Sequence, residues 1–167
     1  MTLVLEKDPI LKKNCEEFDF SSDDDAEKLA KQLSADMVNN EGIGLAAPQI
    51  GILKRVFVIG DNSGILACFN PEITYYSEEE DWFTEGCLSF PGLYIKIKRP
   101  ATIDARFQDL DGTFRDMKLE GIIARCYQHE LDHLNGVLFQ LRAGQIAKKM
   151  AEKRRMKILR RHEQQKN

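Results

Sequence analysis

The chain has 167 residues, of which 43% are hydrophobic, and it carries a formal net charge of −3. This length suits a single domain with one hydrophobic core. No apolar run approaches the roughly 18 residues of a membrane-spanning helix. The first residues show neither a secretory signal nor a transit peptide, so we expect a cytoplasmic location and no membrane partner. The four cysteines include no Cys-x-x-Cys pair and are expected to be free thiols.

The first predicted element is an amphipathic helix over residues 26–40. A polar cluster at residues 21–25 is suited to capping its amino terminus. Apolar side chains then follow at the i, i+4, i+8 spacing of one helix face, at Leu29, Leu33 and Met37. Gly42 stands just beyond the helix, where a left-handed residue commonly ends it.

The middle of the chain has the pattern of short β-strands. Apolar or alternating runs predict four of them, at residues 55–59, 65–69, 94–98 and 103–107. In the third run Ile95 and Ile97 should face the core. A turn at residues 109–112 leads into a further strand at 114–119. Tight turns between successive strands indicate largely antiparallel sheet.

Helical patterning returns in the last third of the chain. A helix is predicted over about residues 120–135, and Gly136 should end it. A short strand at 137–141 and a final helix at 145–163 should follow. This order predicts an α+β fold, with mostly antiparallel sheets wrapped around a central helix and with a C-terminal helix.

The helix at 120–135 carries the most informative motif, His129-Glu-Leu-Asp-His133 (HExxH). Two His four residues apart share one helix face, about 6 Å apart, and can reach one metal ion at about 2.1 Å. Glu130 can approach water on that metal from the side. This pattern is typical of zinc hydrolases and their relatives. The alternative, an exposed helix that happens to carry two His, fits poorly because the helix is apolar on several sides and buried His and Glu need partners.

A catalytic metal site usually has three protein ligands, so a third ligand must come from elsewhere. The only later His is His162, in a basic tail that should be solvated. Upstream, Cys87 offers a thiolate beside Gly86, whose backbone freedom allows close approach. By itself Cys87 would be interpreted as a small core residue. Next to two His that lack a ligand, we interpret it as a metal ligand.

The segment at residues 42–51 is the third unusual feature. It is too apolar and too rich in small residues for an ordinary surface loop, and Gly42 and Gly44 would let the backbone pass close to a ligand. Gln49 could donate an amide hydrogen bond to a developing oxyanion. A loop packed into the core is the alternative. No Gly-Lys-Ser/Thr follows, which excludes a phosphate-binding P-loop.

Together the three segments resemble the signature motifs of one enzyme family. They are GIGLAAPQ at 42–49, EGCLS at 85–89 and QHELDHLNG at 128–136. In this order they are similar to the motifs of peptide deformylases, and the likeness runs from the first helix to about Phe139. The C-terminal helix resembles that of the iron-dependent bacterial group. The resemblance implies metal-dependent hydrolysis of the N-formyl group of formyl-methionyl nascent polypeptides, with release of formate.

The resemblance also implies a ligand set and a proton carrier. Cys87, His129 and His133 would hold one divalent metal ion, natively Fe(II). The Irving–Williams order predicts that Zn, Ni or Co can replace it in preparations. Glu130 would be the general acid and base. One catalytic domain would then span residues 1–167, with a catalytic core at 1–141 and a basic helical extension at 142–167.

Around the metal, the resemblance implies an oxyanion hole made of Gln49 and the backbone N–H of Leu88. Glu85 would support the metal ligands, paired with Arg99. The residues implied to lie around the substrate are Ile43, Gly44, Glu85, Gly86, Ile122, Arg125 and Cys126. Two departures affect peptide preference: Tyr94 stands where some bacterial members have Arg, and Arg125 stands where some have an aliphatic residue.

Charge is distributed unevenly along the chain. Residues 142–167 contain ten Lys/Arg and two Glu, a balance of +8, so the remainder carries −11. A solvated helix is the simpler interpretation. The alternative is contact with the ribosome, which the resemblance also implies, without sequence-specific nucleic-acid recognition. For the whole chain, two rival functions stay open: a metallopeptidase that cuts internal bonds, and a non-enzymatic domain with a structural metal.

Overall fold

The structure is a computed structural model that describes residues 3–22, 25–61 and 64–165. Within these residues the helices are α1 (Ala26–Asn39), α2 (Gly121–Leu134) and α3 (Gln145–Gln165). The strands are β1 (Gly44–Ala46), β2 (Val56–Asp61), β3 (Gly64–Tyr76), β4 (Glu80–Glu85), β5 (Ile95–Pro100), β6 (Thr102–Gln108) and β7 (Phe114–Glu120). Short 3₁₀ helices lie at Pro9–Lys12, Ala47–Ile50 and Phe139–Arg142.

Two antiparallel sheets surround α2. The larger sheet has the order β1-β2-β3-β6-β7, and β4 pairs with β5 in a separate hairpin. Since alternate residues of a strand share one face, Ile95 and Ile97 of β5 both point inward and are buried, as predicted. The turn before β7 places Gly112 at φ 81, a left-handed conformation that favours glycine. The prediction of an α+β fold with largely antiparallel sheets around a central helix is confirmed.

Helix α2 is the centre of the molecule. Residues 124–134 are buried without interruption, and Tyr127 and Leu131 pack with Phe57 and Phe107 of the larger sheet. Gly136 follows the helix at φ 65 and ends it, as predicted. A helix so enclosed fixes its side chains tightly, which suits a set of ligands that must hold one geometry.

Helix α1 matches its predicted span but ends differently. The Asp25 side chain caps it by accepting a hydrogen bond from the Lys28 N–H at 2.9 Å. Asp23 and Asp24 of the predicted capping cluster lie outside the described residues. The left-handed residue after the helix is Glu41, at φ 56, so the prediction for Gly42 is wrong. Instead, the Gly42 N–H donates to the Met37 carbonyl at 3.0 Å.

Between α2 and α3 the predicted strand at 137–141 is also wrong. This stretch overlaps the 3₁₀ helix Phe139–Arg142, whose Phe139 packs beside Phe90 at a ring distance of 5.7 Å. Helix α3 follows as predicted, and its Ala147 and Ala151 join the apolar cluster around β5. No helix in the described ranges has both the length and the apolarity needed to cross a membrane.

Candidate metal centre and active site

Three candidate ligand atoms lie close together, and two of the residues that carry them, Cys87 and His129, line a cavity. One ring nitrogen each from His129 and His133, together with Cys87 Sγ, all lie within 4.8 Å of one another. The two His share a face of α2 at the predicted spacing, and Cys87 Sγ lies 3.2 Å from His133 Nε2. All four cysteines are free thiols. The structure therefore brings together the three residues that the sequence singled out as metal ligands.

Buried ion pairs hold the ring of His129 in place. Its Nδ1 lies 3.1 Å from Glu85 Oε2, and Arg99 donates to both oxygens of Glu85, at 2.7 and 3.0 Å. Burial alone would raise the pKa of Glu85, but His129 and Arg99 outweigh it and hold that pKa well below its ordinary value. Glu85 thus stays ionised and orients His129, since metal-ligating His residues usually donate their second ring N–H to such a group.

The charges in the site suit a cation. Burial alone would lower the pKa of His129, but the neighbouring Cys87 and Glu85 raise it to about 10. These two groups therefore favour a positive charge, which a divalent ion would bring. Burial, together with His129 and Arg99, holds the pKa of His133 well below its usual range, so its imidazole is neutral and can ligate. The donor set of one sulfur and two nitrogens fits Fe(II), Zn or Ni.

Glu130 lies beside the ligands and lines the cavity. Its Oε2 is buried and has no hydrogen-bond partner among the described residues. Burial raises the pKa of Glu130 to about 7, although His129 and Arg99 act in the opposite direction. A carboxylate with a pKa near neutrality can accept and return a proton. Position 44 faces Glu130 and requires a glycine, because a methyl group there would come within 2.5 Å of both Glu130 Oε1 and Cys126 Sγ.

A backbone contact directs the amide of Gln49 toward the candidate metal ligands. Its Oε1 accepts a hydrogen bond from the Ala46 N–H at 2.8 Å. This contact turns Nε2 toward the Ser89 hydroxyl at 3.2 Å and Cys87 Sγ at 3.5 Å. The segment is a short strand followed by the 3₁₀ helix Ala47–Ile50 and is not a loose loop. A buried amide donor beside the candidate metal ligands is suited to stabilising an oxyanion.

The cavity has a volume of about 530 Å³ and lies between the edge strand β1 and the hairpin strand β4. All seven residues that sequence reasoning placed around a substrate line it: Ile43, Gly44, Glu85, Gly86, Ile122, Arg125 and Cys126. Leu88, Gln49, Cys87, His129 and Glu130 line it too.

Arg125 has an additional role that its place at the cavity did not indicate. Its guanidinium donates to Glu85 Oε1 at 2.7 Å and to the Asp81 carbonyl at 2.6 Å. Glu85 thus receives two buried arginines, Arg99 and Arg125. Arg125, which stands where some family members have an aliphatic residue, therefore helps to hold Glu85 beside His129.

Sequence reasoning missed a further part of this network. Asp132, inside the HExxH segment, accepts from Arg99 Nη1 at 2.8 Å and from Arg142 through two donors. The available signal was a charged residue at a predicted buried helix position, which needs a partner. The partners themselves lie 33 and 10 residues away, and the sequence pattern does not name them.

A family model described as polypeptide deformylase matches residues 1–149. The chain belongs to the polypeptide deformylase family. Deformylases are metal-dependent hydrolases, and the chain is an enzyme of that class.

Similar proteins carry the same name. A peptide deformylase of Prochlorococcus marinus subsp. pastoris is 47% identical over 137 residues, which cover 79% of this chain and 68% of that protein. A peptide deformylase of Thermotoga petrophila is 40% identical over 153 residues, covering 92% and 93%. The crystal structure of a Synechococcus elongatus peptide deformylase in complex with actinonin superposes with a TM-score of 0.85 at 35% identity, covering 92% of this chain and 85% of that one. The matches span 61% to 68% of the length of the first Prochlorococcus relatives.

Proposed function

We propose that this deformylase hydrolyses the N-formyl group of formyl-methionyl nascent polypeptides and releases formate. One observation carries the proposal: Cys87, His129 and His133 bring three ligand atoms together, and Cys87 and His129 line a cavity with Glu130. This arrangement combines a metal site with a placed proton carrier, which are the parts that amide hydrolysis requires. The family supports the same reaction.

The three ligands would hold one divalent ion, which we propose is Fe(II) in the cell. Bound there, such an ion would supply Lewis-acid polarisation for the hydrolysis. A site with a thiolate and two imidazoles also accepts Zn, Ni or Co, so a purified sample can carry a different ion from the one used in the cell.

The side chains around the ligands carry the proton steps. Glu130 accepts a proton from water as the oxygen attacks the formyl carbon, and it returns that proton to the departing amine. Gln49 Nε2 and the backbone N–H of Leu88 donate to the oxyanion. One such donor is worth about 3 kcal/mol.

The cavity suits an extended peptide. Both β1 and β4 border it as edge strands, and Gly44 and Gly86 lie beside these edges. An extended substrate can pair its backbone with a sheet edge while pockets select its side chains. We place the methionine side chain among Ile43, Ile122 and Cys126.

Two rival functions are less well supported. A structural metal site normally has four protein ligands, whereas this cluster has three among the described residues, and two of them line an open cavity. A peptidase that cuts internal bonds would share Glu130 and the two His, so only the product distinguishes it. The deciding measurement is anaerobic assay of formate release from a formyl-Met-Ala-Ser peptide against cleavage of its acetylated counterpart. Formate without internal cleavage supports the proposal, and internal cleavage without formate rejects it.

We further propose that the enzyme is cytoplasmic and docks on the ribosome through α3. Its exposed cations Lys149, Lys153, Lys157 and Arg160 recur every three or four residues and share one helix face. Residues 1–141 are acidic overall, so the exposed positive charge is concentrated on this face of α3. An RNA backbone, which is negatively charged, would bind this face in preference to the rest of the protein.

A further inference from the structure

Residues near the amino terminus and in helix α3 contact the segments that carry the candidate oxyanion donors, Gln49 and Leu88. Residues 4–6, here called the amino-terminal strap, cross between two segments of the site. The Val4 N–H donates to the Gln49 carbonyl at 2.8 Å, and the Glu6 N–H donates to the Ser89 carbonyl at 3.0 Å. Ser89 directly follows Leu88. The strap therefore holds the backbone beside both groups that would bind the oxyanion.

Helix α3 holds the strap through one arginine. Arg155 donates to both carboxylate oxygens of Glu6, at 2.7 and 3.2 Å. The side chains are 17% exposed for Arg155 and 33% for Glu6. Every other residue from 152 to 160 is exposed, so Arg155 alone in this stretch turns toward the body of the protein.

Packing fixes the helix where this contact requires it. Ala151, one turn before Arg155, is buried against the cluster that contains Phe90 and Leu93. The aliphatic stem of Arg155 lies near Gly92, in the loop that follows Ser89. The arginine thus reaches the strap from a helix that is itself packed on the segment carrying Cys87 and Leu88.

We propose that Glu6 and Arg155 are positioning residues for the reaction, because through the strap they hold Gln49 and Leu88 in place. This proposal rests on the proposed function, since these donors matter only if an oxyanion forms. It makes α3 part of the catalytic unit, in addition to any docking role. A slight displacement of these donors weakens their hydrogen bonds to the transition state more than their contacts with the bound substrate. The substitutions should therefore lower kcat more than they change KM.

The test uses the full chain with its metal content measured in every sample. Arg155→Gln and Glu6→Gln should each lower kcat about tenfold, less than the 10²–10³-fold loss for a deleted donor. Metal content and KM should change little. Arg154→Gln, on the same helix but exposed, should leave activity on a formyl-methionyl peptide unchanged. The exchanged pair Glu6→Arg with Arg155→Glu should restore kcat to within about threefold of the original chain, because it rebuilds the ion pair with reversed polarity.

A second readout does not depend on catalysis. Amide hydrogen exchange at residues 87–90 should be faster in Arg155→Gln than in the original chain or in Arg154→Gln. If Arg155→Gln does not fold, Arg155→Lys keeps the charge without the two-point contact and should show a smaller change in both readouts. Unchanged exchange at 87–90, or kcat within twofold of the original, overturns the proposal. Absence of formate release from the original chain would instead reject the proposed function, and the exchange data would still report on the strap.

Discussion

Among single residues, Glu130 provides the sharpest test of the chemistry. It lines the cavity and its Oε2 has no hydrogen-bond partner among the described residues. Glu130→Gln should keep the metal, because Cys87, His129 and His133 remain. Formate release should fall about 10²–10⁴-fold, the usual contribution of a general acid and base. Stopped-flow assay with metal analysis of the same sample measures both. Near-normal turnover in a fully metallated variant would show that another group carries the proton.

The four thiols differ in what their surroundings allow. Burial raises the pKa of Cys15 to about 11 and holds those of Cys68 and Cys126 well above the ordinary value. A cysteine binds a metal ion as its thiolate, and none of these three thiols lies in the cluster with His129 and His133. Half-buried Cys87, next to two imidazoles, is suited to it.

We therefore expect Cys87→Ser to lose most of its metal, because a hydroxyl is a poor ligand for soft ions. Cys15→Ser, Cys68→Ser and Cys126→Ser are the matched controls and should retain it. The measurement is metal per chain after desalting under anaerobic conditions. Metal loss in one of the controls, with Cys87→Ser unaffected, would mean that the ligand set is wrong.

At the scale of elements, the β4–β5 hairpin carries a pH-dependent part of the stability. Glu85 ends β4 and is bound by Arg99 of β5 and by Arg125 of α2. Its folded pKa lies well below the ordinary 4.5, so the unfolded chain takes up the proton first. The stabilisation is complete above pH 4.5 and is lost as the pH falls below it.

This predicts a steeper acid destabilisation of the metal-free protein than of Glu85→Gln. Urea unfolding at pH 7, 5 and 4 measures it. The difference in unfolding free energy between the two proteins should shrink as the pH falls, because the unfolded chain binds a proton at Glu85 while the folded protein keeps this side chain ionised. A constant difference across this range would argue against an ionised Glu85 in the folded state.

Elements with a strong periodic pattern could be predicted from the sequence. Helix α2 has apolar spacing and a terminal glycine, and β5 alternates cleanly between buried and exposed residues. Strand β4 was missed because its side chains from Glu80 to Thr84 are exposed on both faces and show no alternation. Strand β1 has three residues, too few for any period. The stretch at 137–141 has strand-like composition, but it folds as a 3₁₀ helix because Phe139 packs into a corner of the core.

In the candidate site, too, the sequence predicted features with a local pattern and missed those without one. Residues that share a motif or a helix face, such as His129 and His133, could be predicted. The sequence did not predict that Arg125 binds Glu85 or that Arg99 and Arg142 bind Asp132. These pairs depend on how distant elements pack against one another. The contact between Glu6 and Arg155 joins residues 149 positions apart, beyond any local pattern.

For the whole molecule, the separation of charge predicts salt-sensitive ribosome binding. Changing Lys149, Lys153 and Lys157 to Glu should abolish co-sedimentation with ribosomes and leave hydrolysis of small formyl-peptides intact. If the row contacts about four phosphates, the affinity should fall with a log–log salt slope of about −3. Binding that ignores salt, or that survives the triple change, would reject docking through this face.

Truncation is a less specific version of that experiment. A chain ending at Leu141 would lose Arg142, which binds Asp132, as well as Arg155, which binds Glu6 of the strap. Ending the chain after Gly144 retains Arg142 but still removes Arg155. We therefore expect both truncations to lower kcat, unlike the three surface substitutions.

The uninterrupted burial of residues 124–134 in α2 determines how the enzyme should lose activity when it unfolds. The buried part of this helix cannot open by local fraying, so the amides of residues 124–134 should exchange only when the entire domain unfolds. His129, Glu130 and His133 are all on this helix. Loss of activity in urea should therefore coincide with loss of far-ultraviolet circular dichroism in a single transition. An inactivation half-life would then directly report the rate at which the domain unfolds.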